Sequence, residues 1–420
     1  MTAEIIFWLS LALVGYAYAG YPLLAILLAR RHGSEPAKGD ERPPVTVVIA
    51  AWNEESRIGA RVQDVLAQDY PADRLHVLVV SDGSTDGTAQ AARVDRRVDV
   101  LELDENEGKA SALNAAVERV ATPLVVFTDA RQRFAPGALA ALVAPFADPA
   151  VGAVTGELRI EGGDGGVGLY WRLETQLRLA EARLGWLHGV SGSLWALRRT
   201  LFRPLPPGTI LDDMWLPCHV ALAGRRVWMT REAAALDNGS ATADEEFVRK
   251  LRTLAGNWQL LDRVPVLLVP WRNPVFFAWC SHKFLRLLAP WGLLTALVAS
   301  AFCHGAFYRF AFFAQLVAYG IAFAGLMLPR LAARVRVLGA ASAFLLLNLA
   351  VIAALVLDQY VGVSGADPVL ALGIAAWLAW GAWGASQAAI EQLMDREWPE
   401  DKRERFLAVV AQHPELRGLH

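Results

Sequence analysis

Long apolar segments without Asp, Glu, Lys or Arg lie at both ends of this chain and enclose a charged middle part. They run over residues 5–29, 287–308, 310–329, 337–357 and 368–390. The chain has 420 residues, of which 55% are hydrophobic, more than one soluble core requires. Each segment is long enough to cross a hydrocarbon core of about 30 Å. We therefore expect five membrane spans, the first of them a retained anchor rather than a cleaved signal peptide.

The positions of basic residues predict how these spans are oriented. Arg30 and Arg31 follow the first span, and further arginines lie between the third and fourth spans, whereas the other short connections carry few charges. By the positive-inside rule the central part is cytoplasmic and the N-terminus lies outside, as expected for a multi-pass protein of the bacterial inner membrane. The expected organisation is an anchor (1–31), a linker (32–43), a cytoplasmic domain (44–265, with halves 44–145 and 146–265), an interfacial amphipathic helix (273–290), four spans within 287–390 and a cytoplasmic tail (391–420).

Charge balance and cysteine usage exclude two classes of function. The chain has 40 basic and 42 acidic residues, so it shows no basic excess of the kind that nucleic-acid binding requires. Its three cysteines share no spacing typical of metal ligands and suggest no disulfide framework. We expect no nucleic-acid partner and no zinc site.

The central domain alternates between short β-branched runs and helix-like stretches. The runs 45–50, 75–80, 98–103 and 124–127 read as buried strands, and 55–67, 89–94 and 110–120 read as helices between them. This alternation predicts an α/β, Rossmann-like domain with a mostly parallel sheet, joined to an α-helical transmembrane region. In open sheets of this kind the ligand lies beyond the carboxyl ends of the strands.

Polar residues suited to a nucleotide follow each of the four predicted strands. They are Asn53 and Glu54 after the first, Asp82 and Gly83 after the second, Lys109 after the third, and Asp129 and Arg131 after the fourth. Carboxylates offer acceptors and a metal ligand, glycine permits close approach, and lysine offers positive charge for phosphates. Taken singly, each is equally typical of turn chemistry, helix capping or a solvated side chain. The repetition at four strand ends favours one shared crevice.

Six strings make residues 44–262 resemble the family 2 glycosyltransferases, the inverting group that includes cellulose, chitin and hyaluronan synthases. They lie at 44–54, 79–88, 106–114, 127–131, 189–199 and 210–216, the last of them followed by 223–227. The resemblance implies a GT-A fold, a nucleotide-diphosphate sugar donor and a divalent cation, Mg²⁺ or Mn²⁺. It also implies roles for individual residues: Asp82 would contact the nucleoside, Asp129 would be the first Asp of the metal-binding motif, and Asp213 would be the general base, with Asp212 in the preceding acidic position.

The role of Asp213 has a chemical rationale. Single displacement at an anomeric carbon needs a carboxylate opposite the leaving diphosphate to accept the proton of the acceptor hydroxyl. Two adjacent carboxylates repel one another, and this raises the pKa of one of them. Helix capping accounts for an Asp-Asp pair equally well when the family context is ignored.

The chain departs from the family pattern at two places. Arg131 stands where a second metal-binding Asp is usual, so this arginine neutralises the diphosphate directly or another carboxylate completes the metal site. Further on, Arg249 and Arg252 share the basic face of a predicted helix, and Arg252 matches the arginine of the Gln-x-x-Arg-Trp motif of processive synthases. Thr253 replaces the Trp of that motif, which favours one or a few additions per acceptor.

The second half of the domain also contains candidate acceptor residues, Gly192 and Trp195. The glycine suits close approach of a substrate and the indole suits stacking on a sugar, although turn chemistry and core packing explain each equally well. The predicted function is inverting transfer of a sugar, from a UDP-sugar, to a hydroxyl of a membrane-proximal glycan or lipid-linked acceptor. The alternatives are a processive polysaccharide synthase coupled to secretion and an inactive nucleotide-sugar sensor or scaffold. The partners are the donor, the acceptor and membrane lipids; the sequence does not indicate an oligomeric state.

Overall fold

The computed structural model describes residues 2–160, 167–237 and 243–328, together with 331, 335, 338 and 345. The predicted spans 337–357 and 368–390 and the tail 391–420 lie essentially outside these residues. The strands are β1 (Val45–Ala51), β2 (Leu75–Asp82), β3 (Val98–Leu103), β4 (Leu124–Thr128), β5 (Arg133–Phe134), β6 (Val151–Ile160), β7 (Trp195–Arg198) and β8 (Arg226–Asp237). The α-helices are α1 (Thr2–Gly15), α2 (Tyr21–His32), α3 (Glu55–Leu66), α4 (Thr88–Ala92), α5 (Lys109–Arg119), α6 (Ala138–Val143), α7 (Val167–Leu184), α8 (Asp212–Leu222), α9 (Ala243–Arg263), α10 (Phe276–Trp279), α11 (Leu285–Phe302) and α12 (Ala306–Met327).

The described strands form one sheet with the order β3-β2-β1-β4-β7-β6-β8-β5. Strands β3, β2, β1 and β4 are parallel, β7 is antiparallel to both its neighbours, β6 and β8 are parallel, and β5 is antiparallel to β8. A mixed, mostly parallel sheet with covering helices confirms the predicted fold class.

Strands β1, β2 and β4 are mainly apolar because helices cover both faces of a parallel sheet, whereas the edge strand β3 carries exposed Asp99 and Glu102. In β1, Val47, Val48 and Ile49 are all fully buried. Helix α3 presents Ile58, Val62 and Val65 to this core, a spacing that puts all three on one face of the helix. The predicted strand and helix positions in this half are therefore confirmed to within a few residues.

Strands from both predicted halves of the domain belong to the same sheet. Strand β7 pairs with β4 on one side and with β6 on the other. The long strands β6 and β8 pair in parallel over most of their length, with two irregularities in register. The carboxyl end of β4 therefore lies next to the segment that leads into β7, which brings the two halves together at the edge where ligands bind in such sheets.

Three described helical segments are long and apolar enough to cross a membrane: Thr2–His32, Phe276–Phe302 and Ala306–Met327. The first contains a π-helical turn at Tyr16–Gly20 and the second a π-helical turn at Cys280–Phe284. Helix α2 packs on α7, where Tyr21 and Ala25 are buried against Leu177. The N-terminal helical segment therefore packs directly on the α/β domain.

The expected interfacial helix at 273–290 is not a separate element. Helix α10, the π-helical turn and α11 run on without a break through Phe302. The basic residues that suggested a headgroup-facing surface turn inward, because His282 and Arg286 pair with carboxylates of α7. The amphipathic pattern is thus satisfied by packing on the domain, and an orientation in the membrane interface stays a prediction.

Candidate active site

The loops after β1 and β2 are tied to each other by side-chain hydrogen bonds. The Oδ1 atom of Asn53 accepts the backbone amide of Thr85 at 2.9 Å, and the backbone amide of Glu54 donates to Thr88 Oγ1 at 2.8 Å. Asn53 has a φ of 54°, a left-handed conformation that Asn tolerates better than most residues. The loop that contains the predicted donor residues Asn53 and Glu54 is thus held against the loop after β2, at the carboxyl edge of the sheet.

Asp82 and Gly83 organise the neighbouring loop. Asp82 is buried, and its two carboxylate oxygens accept the backbone amides of Glu107 and Gly108 at 3.1 and 3.0 Å. Gly83 has a φ of 60°, and a Cβ atom there would lie 2.3 Å from the amide nitrogen of Asn106. Both residues thus hold the segment before α5 in place; contact between Asp82 and a nucleoside stays a prediction.

Lys109 brings the remaining predicted loops together. Its Nζ atom lies 3.0 Å from Asp129 Oδ1, after β4, and 3.4 Å from Asp212 Oδ2, at the start of α8. Burial alone would lower the pKa of Lys109, but the charges of Asp129, Asp212 and Asp213 outweigh burial and raise the pKa. A lysine in the first turn of α5 faces the unfavourable end of the helix dipole. The carboxylates therefore stabilise a charge that the helix alone disfavours.

Asp213 has the electrostatic environment expected of a base. Burial and the adjacent charge of Asp212 raise its pKa to about 6, against the opposing effect of Lys109. Its backbone carbonyl accepts the amide of Val190 at 2.9 Å. A Cβ atom on Gly192 would lie 3.6 Å from Asp213 Oδ2 and 3.9 Å from Asp129 Oδ2. Gly192 therefore lies close to both carboxylates, and any larger side chain would take up space beside them.

Arg61 holds the segment that carries Asp129 in place, a role that was not predicted from the sequence. It is 3% exposed, donates to Thr128 Oγ1 at 2.7 Å and to the Asp129 carbonyl at 3.3 Å, and lies over the ring of Phe134 at 4.0 Å. Thr128 Oγ1 donates in turn to the Ser193 carbonyl at 2.6 Å. Burial lowers the pKa of Arg61 to about 10. Its place between Ile58 and Val62 on the apolar face of α3 was the available signal.

Two predicted site residues have other partners. Arg131 Nη2 lies 2.6 Å from Asp237 Oδ2 at the end of β8, so its charge is already paired with a carboxylate. Trp195 is completely buried in β7 and stacks on Phe127 with ring centroids 4.4 Å apart. Trp195 has no free face for an acceptor sugar, because both faces of this strand are covered; core packing, the alternative interpretation, accounts for it.

The basic pair on α9 is only partly described. Arg252 is exposed, and of Arg249 only the backbone position within α9 is described. Their contact with a donor diphosphate stays a prediction.

The acidic cleft offers a divalent cation few protein ligands. Within the described residues no group of three His, Cys, Asp or Glu side chains is arranged to hold a metal. Asp129 supplies one carboxylate, and Asp237 is engaged by Arg131. A hard cation such as Mg²⁺ is commonly held by one or two carboxylates together with substrate phosphates. The residues present therefore fit a cation shared with a bound diphosphate.

Comparison with known proteins defines the class to which this fold and site belong. Residues 46–205 match the model described as Glycosyl transferase family 2. The chain therefore carries a family 2 glycosyltransferase domain, and its sheet is that of the GT-A fold.

Individual relatives match less than a third of the chain. It is 33% identical over 125 residues to a poly-beta-1,6-N-acetyl-D-glucosamine synthase of Staphylococcus aureus (strain COL), over 29% of this chain and 30% of that protein. It is 34% identical over 130 residues to an N-acetylglucosaminyltransferase of Mesorhizobium japonicum, over 30% of each. The matched segments thus span about a third of the length of these relatives.

A solved structure resembles most of the chain. It is the mannosyltransferase PcManGT from Pyrobaculum calidifontis in complex with GDP-Man and Mn²⁺, with a TM-score of 0.63 and 26% identity, and the similarity covers 84% of this chain and 99% of that one. The fold similarity extends well beyond the family 2 domain.

Proposed function

We propose that this protein transfers a sugar, with inversion, from a nucleoside diphosphate donor to a hydroxyl of a membrane-proximal glycan or lipid-linked acceptor. The observation that carries the proposal is the raised pKa of Asp213 beside a lysine that bridges Asp129 and Asp212. A carboxylate with a pKa near neutrality combines a deprotonated state with a useful affinity for a proton. Lys109 lies between Asp129 and Asp212, where its positive charge would stabilise the negative charge of a departing diphosphate.

The chemical step follows from these roles. The acceptor oxygen forms a bond to the anomeric carbon while the bond from that carbon to the diphosphate oxygen breaks. Asp213 takes the hydroxyl proton, and Lys109 and Arg252 stabilise the charge on the departing diphosphate. A divalent cation held by Asp129 and the diphosphate would add charge stabilisation on the leaving side. Displacement from the face opposite the leaving group inverts the anomeric configuration.

The donor is proposed to be a uridine diphosphate sugar, with N-acetylglucosamine as the first candidate. Both relatives reported above are named for N-acetylglucosamine. The structural neighbour contains GDP-Man, so a mannosyl donor is the alternative to test. The replacement of the motif's Trp by Thr253, which is exposed on α9, favours one or a few additions per acceptor. Product length on a labelled acceptor distinguishes this from a processive synthase.

The membrane segments are proposed to cross the bacterial inner membrane with the catalytic domain on the cytoplasmic side and the N-terminus outside. Arg30, Arg31 and His32 form the last turn of α2, next to the domain. Thiol labelling of single-cysteine variants placed at the start of α1 and in the 33–44 linker would test this orientation. Labelling of both sites from the same side contradicts it.

The test of function is release of nucleoside diphosphate by the purified full-length protein in lipid nanodiscs. Asp213→Asn should lower kcat by about 10²–10⁴-fold, because Asn cannot accept the proton, while donor affinity stays nearly unchanged. Asp99→Asn is the matched control, since Asp99 is exposed on β3 away from the cleft. No release by the wild-type protein with any donor, acceptor or cation would favour a nucleotide-sugar sensor, and full turnover by Asp213→Asn would remove its role as base.

A further inference from the structure

A buried polar cluster joins α7 to the membrane-crossing segment Phe276–Phe302. His282 is 1% exposed, and its ring nitrogens lie 2.8 Å from Glu174 and 2.8 Å from Glu181. Glu181 also accepts a hydrogen bond from Tyr21 of α2 at 2.7 Å, and Arg286 donates to Glu174 at 2.9 Å. We name these five residues the membrane-joint cluster. None of them belongs to the donor cleft described above.

The charges of the cluster are set by its hydrogen bonds. Burial would raise the pKa of Glu174 and Glu181, but the surrounding groups, with His282 the first of them, together outweigh burial and lower both. Each ring nitrogen of His282 lies within hydrogen-bond distance of one carboxylate, so the ring bridges Glu174 and Glu181. Removing one member of such a buried charged set leaves its partners uncompensated.

Two π-helical turns meet at this place. Tyr16, in the turn Tyr16–Gly20, has its hydroxyl 3.0 Å from Ser281 Oγ in the turn Cys280–Phe284. Isolated π-helical turns within α-helices occur frequently at functional sites. The turn at 280–284 carries Ser281 and His282, both buried. Irregular helix geometry is thus concentrated where the membrane helices contact the domain.

Arg178 connects the cluster to the candidate base. It lies one turn from Glu174 and one turn from Glu181, on the same face of α7. Its Nη2 atom donates to the Gly189 carbonyl at 3.3 Å, and the next residue, Val190, donates its amide to the Asp213 carbonyl at 2.9 Å. Burial lowers the pKa of Arg178, while the charges of Glu174, Glu181 and Asp213 oppose that effect.

The segment before Gly189 is held from the other side as well. The thiol of Cys218 in α8 donates to the His188 carbonyl at 3.3 Å, and the ring of His188 lies 5.8 Å from that of His282 in an edge-on arrangement. Residues 188–190 therefore lie between the membrane-joint cluster and the start of α8, where Asp213 is found. A displacement in the membrane-joint cluster can therefore reach Asp213 through Arg178, Gly189 and Val190.

We propose that the membrane-joint cluster positions the catalytic base: His282 balances Glu174 and Glu181, leaves Arg178 free to hold Gly189, and thereby fixes Asp213 on the acceptor side of the cleft. This inference rests on the proposed function. His282 and Arg178 are positioning residues, since neither is placed against substrate. Catalysis would accordingly require that the helix beginning at Phe276 is docked on α7.

The electrostatic consequence has a definite sign. The charged groups around Asp213 are Asp212, Asp129, Lys109 and Arg178. Without His282, Glu174 keeps Arg286 and Glu181 keeps the Tyr21 hydroxyl, but each carboxylate loses its hydrogen bond to His282 and attracts Arg178 more strongly. Asp213 then loses positive charge nearby, and its acid limb moves to higher pH.

The experiment compares His282→Gln with His76→Gln in full-length protein in nanodiscs. His76 is exposed on β2, far along the chain from the cluster, and is the matched control. His282→Gln should lower kcat about tenfold or more, move the acid limb of the pH–rate profile up by about half a unit or more, and leave the donor KM unchanged. His76→Gln should match the wild type. A lower melting temperature with an unmoved acid limb would indicate a purely structural role and overturn the proposal.

A second pair of variants, both at Arg178, tests the positioning role if His282→Gln does not fold. Arg178→Ala should reproduce the shift of the acid limb, and Arg178→Lys should restore its position because the charge is kept. An unshifted profile in Arg178→Ala overturns the proposal. If the wild-type protein shows no turnover, the proposed function fails, and infrared titration of Asp213 in wild type and Arg178→Ala tests the positioning role independently.

Discussion

Lys109 lies among carboxylates from two distant parts of the chain, and these charges act together with burial on the ionisation of Asp213. The pKa of Asp213 is raised from its ordinary value to about 6, so the carboxyl is protonated below that pH and available as a base above it. Activity should therefore rise as the pH passes upward through about 6 and level off near neutrality. A pH–rate profile of kcat/KM for nucleoside diphosphate release measures this limb.

The neighbouring carboxylate provides a test of the cause. Asp212 is the largest charge contribution that raises the pKa of Asp213. Asp212→Asn should therefore move the acid limb to lower pH, even though overall activity falls because Lys109 loses one partner. Asp99→Asn serves again as the control. A limb that stays in place, or moves upward, in Asp212→Asn would show that Asp212 does not set the ionisation of the base.

At the residue scale, position along the strands was easier to predict than the direction of a side chain. Loops after parallel strands share one edge of the sheet, so the meeting of Lys109 and Asp129 followed from the order of elements, whereas Asp212 was assigned to the site by the family resemblance. Trp195 and Arg131 were both predicted as site residues, but Trp195 is buried in the core and Arg131 pairs with Asp237. The burial of Trp195 follows from its place in a central strand with two covered faces, and the pairing of Arg131 depends on Asp237, which is distant in sequence.

At the scale of elements, the turn after β2 provides the sharpest comparison. Gly83 and Gly137 have φ values of 60° and 73°, but only at Gly83 would a Cβ meet another backbone atom, 2.3 Å away. Gly137→Ala should cost only the left-handed strain of about 1–2 kcal/mol. Gly83→Ala should cost clearly more and weaken donor binding, because the segment around Asn106 must move. Chemical denaturation and donor titration of both variants measure the difference; equal losses would contradict it.

Element prediction worked where contacts are local and failed where they are not. The strands and helices of the first half follow from β-branched runs and apolar spacing along the chain. The parallel pairing of β6 with β8 joins segments far apart in sequence, and no local pattern encodes it. In the segment 273–290, which predicted an interfacial helix, His282 pairs with carboxylates of α7, and these partners are distant in sequence.

At the scale of the whole molecule, the apolar N-terminal helical segment and the α/β domain pack against each other. Ala25 of α2 is fully buried in the contact with α7, whereas Leu27, two residues on, is 61% exposed. Ala25→Trp should overpack this contact and cost about 1–3 kcal/mol or more, with loss of turnover. Leu27→Trp should be tolerated, because it faces away from the domain. Thermal unfolding and turnover in nanodiscs measure both, and equal behaviour would show that α2 is only a tether.

The single sheet shared by both halves has a consequence for how substrates enter and leave. Strands β4, β7, β6 and β8 are hydrogen-bonded in succession, so the donor half and the acceptor half cannot separate by a hinge motion. The sheet therefore forms a rigid floor of the cleft. Entry of the sugar donor and release of the nucleotide product must then depend on movement of the loops and helices that border the cleft.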